Sequence, residues 1–206
     1  MSMLDKLAAK IMPAESDEDR ANARRVAEAM AGDNDWLAIV LQQHRQIEQC
    51  FADALSAGDA SSRQSACKRL AVLLTGHSNA EESVLYPAMA DYDEEGRAAM
   101  AYEEQATAKM QMAKLETLDP MSIEWREKLE HIQGAVLHHV YEEEGTWFPQ
   151  LKQRTLPGDQ ARLTRRFLEE FERYAQTGQR QVPLQMAAQM SEHPDKGSHT
   201  WSAPTS

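Results

Sequence analysis

Apolar residues recur along this chain at three- and four-residue steps, and no segment alternates with the two-residue period of a strand. Helices are therefore predicted throughout. Residues 1–32 hold a short amphipathic piece (Leu4, Leu7, Ile11), then Pro13, an acidic stretch and a second helical piece over 21–31 that ends at Gly32. Asp33, Asn34 and Asp35 offer N-cap side chains for a helix carrying Trp36, Leu37, Val40, His44, Ile47, Phe51 and Leu55, which stops near Gly58. Ser61 and Ser62 open a second, which passes Leu70, Leu73, Leu74, His77 and Glu81 towards Tyr86 and Pro87. A third, over residues 94–118, carries Met100, Ala101, Gln105, Ala108, Met112 and Leu115 until Asp119-Pro120 breaks it. Ser122 caps a fourth, through Trp125, Leu129, Ile132, Val136, His139 and Glu143 to Phe148 and Pro149. Pro157-Gly158-Asp159 introduces a fifth, shorter helix that ends near Gly178, and the polar residues from Gln179 read as a flexible or surface-draped tail. The predicted fold is all-α: an up-and-down four-helix bundle over residues 33–153, with a helical extension at 1–32, an added helix at 154–178 and a tail at 179–206.

Inside this pattern lies a repeat. His77-Ser78-Asn79-Ala80-Glu81-Glu82-Ser83-Val84-Leu85-Tyr86-Pro87 recurs 62 residues on as His139-Val140-Tyr141-Glu142-Glu143-Glu144-Gly145-Thr146-Trp147-Phe148-Pro149. A His and a Glu four apart share one helix face. Two such pairs facing each other across a bundle would supply imidazole and carboxylate ligands for two metal ions. Buried imidazoles and carboxylates without compensation are expensive, so inward-facing pairs favour a cation. His138 with Glu142 is the neighbouring register, and the Pro149 anchor favours His139 with Glu143. The hairpins also compare upstream: His44 lies 33 residues before His77, and the residue 34 before His139 is Gln105.

Charge narrows the function classes. The formal charge of −11 over 206 residues opposes binding to nucleic acid and to anionic membranes. Most of the acidic residues belong to a solvated surface. No run approaches the roughly 18 apolar residues of a membrane span, and Asp5, Lys6 and Lys10 interrupt any leader-like stretch. Cys50 and Cys67 are the only cysteines and suggest no staple, so reduced thiols in a cytoplasmic protein are expected.

Across residues 33–153 the chain resembles the hemerythrin-like family, the HHE cation-binding domain. The resemblance rests on Gln43-His44-Arg45, on His77 with Glu81-Glu82-Ser83-Val84-Leu85-Tyr86-Pro87, and on His139 with Glu143-Glu144 and Trp147-Phe148-Pro149. It implies a bundle around a non-haem di-iron centre that binds or senses dioxygen, nitric oxide or peroxide, or handles iron. Carried over by position, His44 and His77 would be terminal ligands on one iron, His139 a terminal ligand on the other, and Glu81 and Glu143 the bridging carboxylates. The departure is Gln105, where the resemblance implies a histidine, with Lys109 one turn on. Lys109 is expected to pair with Glu48, Glu81 or Glu143. Three arrangements stay open: a di-iron centre completed by another ligand such as Glu104, one tight and one loose metal, or a vestigial site. The rival functions are a peroxide-decomposing di-iron oxidoreductase and a metal-free helical interaction module. Among the neighbours, Glu82 and Glu144 read as solvated residues or partners of ligand imidazoles. Tyr86, Trp147 and Phe148 read as packing for the bundle end, and His131 as a flank residue.

Overall fold

The computed structural model describes residues 15–92 and 95–178. The predicted piece at Leu4, Leu7 and Ile11 and the tail from Gln179, with His193 and His199, lie outside the described residues. Helix α1 spans Asp17–Glu28, α2 Trp36–Ser56 and α3 Ala60–Ala80. Helix α3 runs on through a π-helical turn, Glu81–Leu85, into α4, Tyr86–Asp91. Helix α5 is Glu95–Leu115. Helix α6, Ile123–Glu142, likewise passes through a π turn, Glu143–Trp147, into α7, Phe148–Arg154. Helix α8 is Pro157–Gly178. No strand occurs among the described residues.

Local chemistry sets the helix starts. Ser16 and Asp19 form a reciprocal capping box for α1. Asp35 accepts from the Ala38 N–H at the head of α2, just after Asn34, whose φ of 56° is a left-handed value that Asn tolerates better than most residues. Ser122 caps α6 by accepting from the Trp125 N–H. Two expectations shift by a few residues. Asp59, not Ser61 or Ser62, caps α3 by accepting from the Ser62 N–H, because its carboxylate reaches the first free N–H groups. Helix α5 ends at Leu115, and residues 116–118 are turns.

Helix α2 packs on α3 and α6, and α5 packs on α6 and α3. Two apolar clusters fill the interior. One gathers Trp36, Leu37, Val40, Leu85, Phe148 and Phe167. The other gathers Ile47, Phe51, Leu70, Leu115, Leu129 and Ile132. Along α2, Val40 lies in the first cluster and Ile47 in the second, with buried His44 between them. On α3, His77 lies likewise between Leu74 and Ala80. The polar residues thus form a layer between two apolar ones.

The fifth predicted helix is not short. Helix α8 has 22 residues, one more than α3, and lies against α3 and α2. Its stripe of Leu163, Phe167 and Phe171 recurs every four residues and packs on the first cluster. Gly76 permits the approach, since a Cβ there would stand 3.1 Å from the Phe171 ring. No helix among the described residues is long and apolar enough to cross a membrane.

Candidate metal centre

Both π turns begin at a glutamate of the repeat. The Tyr86 N–H bonds to the Glu81 carbonyl, and the Phe148 N–H to the Glu143 carbonyl. Pro87 and Pro149 follow at once and lack the N–H that the ladder needs next. In α geometry five residues advance about 500°, so Tyr86 would point roughly 140° away from Glu81. The wider π turn carries residue 86 back over residue 81. Tyr86 therefore does not merely pack the bundle end, as its sequence position suggested. It is fully buried, with its hydroxyl in the polar layer.

The helices bring together His44, His77, Glu81, Gln105, His139 and Glu143, all buried. Each histidine is held through Nδ1. His44 Nδ1 lies 2.9 Å from Glu144 Oε1, His77 Nδ1 2.9 Å from Gln43 Oε1, and His139 Nδ1 2.7 Å from Glu104 Oε2. Each Nε2 faces a carboxylate of the repeat. His44 Nε2 is 3.3 Å from Glu143 Oε2 and 3.8 Å from Glu81 Oε1, and His77 Nε2 is 3.2 Å from Glu81 Oε1. His139 Nε2 is 3.2 Å from Glu143 Oε1. The carboxylates divide their oxygens: Glu81 Oε1 and Glu143 Oε2 face His44 and His77, and the other pair faces the His139 side.

That second side holds two further groups. The Tyr86 hydroxyl donates to Glu143 Oε1 at 2.9 Å and stands 3.0 Å from His139 Nε2 and 3.4 Å from Glu81 Oε2. Gln105 Nε2 donates to Tyr86 Oη at 2.5 Å and to Glu81 Oε2 at 2.6 Å.

The electrostatics of so many buried groups are uneven. Burial disfavours the His44 imidazolium, but its contacts with Glu143, Glu144 and Glu81 outweigh this and hold its pKa well above the usual value. His139 is also penalised by burial, yet the Glu143 charge and the Glu104 hydrogen bond lift it to about 10. Burial, and then the His44 charge, push His77 well down. Burial and the neighbouring Glu143 raise Glu81 to about 7. Burial opposes ionisation of Glu143 too, but His139 and His44 hold it below the ordinary carboxylate range. Burial and the two carboxylates push the Tyr86 phenol well up. Metal-free, the centre thus holds Glu143 ionised beside two protonated imidazoles, while Glu81 takes up a proton more readily than an ordinary carboxylate.

Among the described residues, four buried side-chain atoms have no hydrogen-bond partner: His44 Nε2, Glu81 Oε1, Glu143 Oε2 and Gln105 Oε1. Leaving carboxylate oxygens so is costly. One donor atom from each of His44, His77, Glu81 and Glu143 falls within 4.8 Å of all the others. Imidazole nitrogens with carboxylate oxygens, backed by acceptors on the far ring nitrogens, form a donor set that fits a transition-metal cation. Beside it lies a cavity of about 290 Å³, walled by Ile47, Leu74, Ala108 and Val136 and touched by His77 and His139.

Several neighbours stand elsewhere than expected. Lys109 pairs with none of Glu48, Glu81 or Glu143. Its Nζ lies 2.6 Å from Glu82 Oε1 and 3.3 Å from Asn79 Oδ1, because it leaves α5 on the side of the π turn's outward carboxylate. Glu48 instead meets Arg24. Glu104, a candidate replacement ligand, holds the outer nitrogen of His139. Glu144 is buried and does the same for His44. His138 leaves the centre for Glu15, at 2.6 Å. Sequence reasoning missed Tyr86 and Arg24. The aromatic-Pro ending of the repeat was the available signal for Tyr86.

These features define a helical protein with a buried imidazole–carboxylate cluster that could hold a metal ion. Residues 35–151, more than half of the chain, match the hemerythrin HHE cation binding domain, and the chain belongs to that family. A curated relative, a DNA nickase from Nostoc sp., is 25% identical over 114 residues, which cover 55% of this chain and 32% of that protein. The chain therefore spans about a third of the length of that relative. No solved structure matches.

Proposed function

We propose that this chain is an up-and-down four-helix bundle holding two non-haem irons, and that it binds or senses a small ligand: dioxygen, nitric oxide or peroxide. His44 and His77 would hold one iron and His139 the other, with Glu81 and Glu143 shared between them. The observation that carries this reading is the division of the two carboxylates, each with one oxygen turned to the side of His44 and His77 and the other to the side of His139 and Tyr86. Imidazole with carboxylate suits iron. Bound iron would supply a redox-active centre with room for a small ligand.

The protein's own groups do the rest. Glu144, Gln43 and Glu104 fix the three rings so that Nε2 faces inward. The apolar layers above and below keep bulk water away, and the cavity beside His77 and His139 gives a diatomic molecule or peroxide a place to enter. Free Cys50 and Cys67 suit a reducing cytoplasm. DNA nicking is not carried over from the Nostoc protein, since only a third of it aligns and the charge of −11 repels phosphate.

Elemental analysis of protein purified without chelator, with spectra in air, after reduction and under nitric oxide, tests the proposal. Iron with ligand-dependent spectra is expected. Protein that stays iron-free after anaerobic loading overturns it, and rapid peroxide turnover would reassign the function to an oxidoreductase.

A further inference from the structure

The two halves of the repeat are not equivalent at the centre. On the first side α2 supplies His44, while the matching α5 residue on the second side is Gln105. The aromatic residues differ in the opposite sense. Tyr86, after the first π turn, aligns with Phe148 after the second. Phe148 has no polar atom and packs edge-on against Trp36, with ring centroids 5.7 Å apart. The side that lacks an imidazole is therefore the side that gains a phenol.

The spacing of donors on that side is informative. First-row cations bind nitrogen and oxygen at about 2.0–2.2 Å, so neighbouring donors around an octahedral ion stand roughly 3 Å apart. Tyr86 Oη lies 2.9 Å from Glu143 Oε1, 3.0 Å from His139 Nε2 and 3.4 Å from Glu81 Oε2. His139 Nε2 and Glu143 Oε1 are 3.2 Å apart. All four atoms belong to buried residues, and the Gln105 amide that touches Tyr86 retains an oxygen with no partner.

We propose that Tyr86 is a phenolate ligand to the second metal ion, in place of the imidazole that Gln105 removes. The inference rests on the iron-binding reading above. Binding there exchanges a proton for a metal ion: the phenol O–H bond breaks, the oxygen–metal bond forms, and the proton leaves to water with no electron transferred. Gln105 then has a positioning role, holding the phenol oxygen towards His139 and Glu143.

The test is ferric loading of the full chain and of Tyr86→Phe, read by iron content, visible absorption and resonance Raman. Wild type should bind about two irons per chain and show a phenolate-to-iron band with tyrosinate vibrations. Tyr86→Phe should lose the band and about one iron while keeping the other. Adding Gln105→His to Tyr86→Phe should restore the second iron without the band. Two irons with no tyrosinate signature, or a signature unchanged in Tyr86→Phe, overturn the role of Tyr86 and leave iron binding standing. One iron without the signature does the same. An iron-free wild type overturns both readings. Should Tyr86→Phe fail to fold, the Raman spectrum of wild type alone decides.

Discussion

Arg24 and Glu144 are 120 residues apart in sequence, yet Nε of the one stands 3.0 Å from Oε2 of the other. Glu144 Oε1 meets His44 Nδ1 at 2.9 Å, and Arg24 Nη2 holds Glu48 Oε1 at 2.6 Å. Helix α1 lies ahead of the matched family residues 35–151, so a group outside the family domain orients a candidate ligand inside it.

Arg24→Ala should therefore act on both stability and metal binding. Removing one partner of a mostly buried charge network costs roughly 2–4 kcal/mol, and loss of an outer partner lowers metal affinity about 10–100-fold. Urea denaturation of metal-free protein reads the first effect and iron titration the second. Unchanged iron affinity would show that α1 only packs.

Substitution of the inward histidines should separate ligand from packing roles. His77→Ala and His139→Ala should each lower iron content and shrink the gap between melts with iron and with chelator. When free metal exceeds Kd a thousandfold, binding stabilises by about 4 kcal/mol. An undiminished gap in either variant would remove that residue from the site.

The metal-free protein should lose stability as pH rises from about 6.5 to about 10. His139, lifted to about 10 from an ordinary value near 6.5, binds its proton more tightly folded than unfolded. Its contribution is complete below the lower value and is lost as pH passes through the upper one. Glu81, raised to about 7, adds to the loss between its unfolded value of about 4.5 and 7. Iron loading should reverse the trend in the alkaline window, because a metal competes with the imidazole protons. Melts of chelated and loaded protein across this range supply the comparison, and a chelated profile that does not fall would contradict it.

Gly76→Ala should be destabilising despite the helix preference for alanine of about 1 kcal/mol. The added methyl would meet the Phe171 ring at 3.1 Å, and overpacking costs about 1–3 kcal/mol. In a Phe171→Ala background the sign should invert. If Gly76→Ala stabilises both backgrounds, α8 is not packed tightly on α3.

Gln105→His should strengthen the second metal position by restoring the imidazole that the repeat implies. Equilibrium titration would show a tighter second iron. An unchanged second step would argue that Tyr86 and His139 already complete that side.

Helix positions were legible because each helix buries one apolar stripe, and a period near 3.6 survives in sequence whatever the helix packs against. His77, Glu81, His139 and Glu143 were legible because His and Glu four apart share a face and the pattern occurs twice, and His44 through its place on the preceding helix, 33 residues before His77. Tyr86 was not, since reading it on an α helix points it away from Glu81, and only the π turn brings it round. The partners Arg24 with Glu144, Glu104 with His139 and Lys109 with Glu82 depend on side-chain reach between helices, which no one-dimensional period encodes. The bounds of α8 were legible from Pro157-Gly158-Asp159 and Gly178, but its seat was not, since only the structure shows Phe171 packed over Gly76. The sequence by itself determined which histidines and glutamates pair on one helix face, because local spacing sets which side chains share a face. The tertiary structure alone decided how the donors divide into two unlike halves, because that depends on distances across the bundle and on one widened turn in each of two helices.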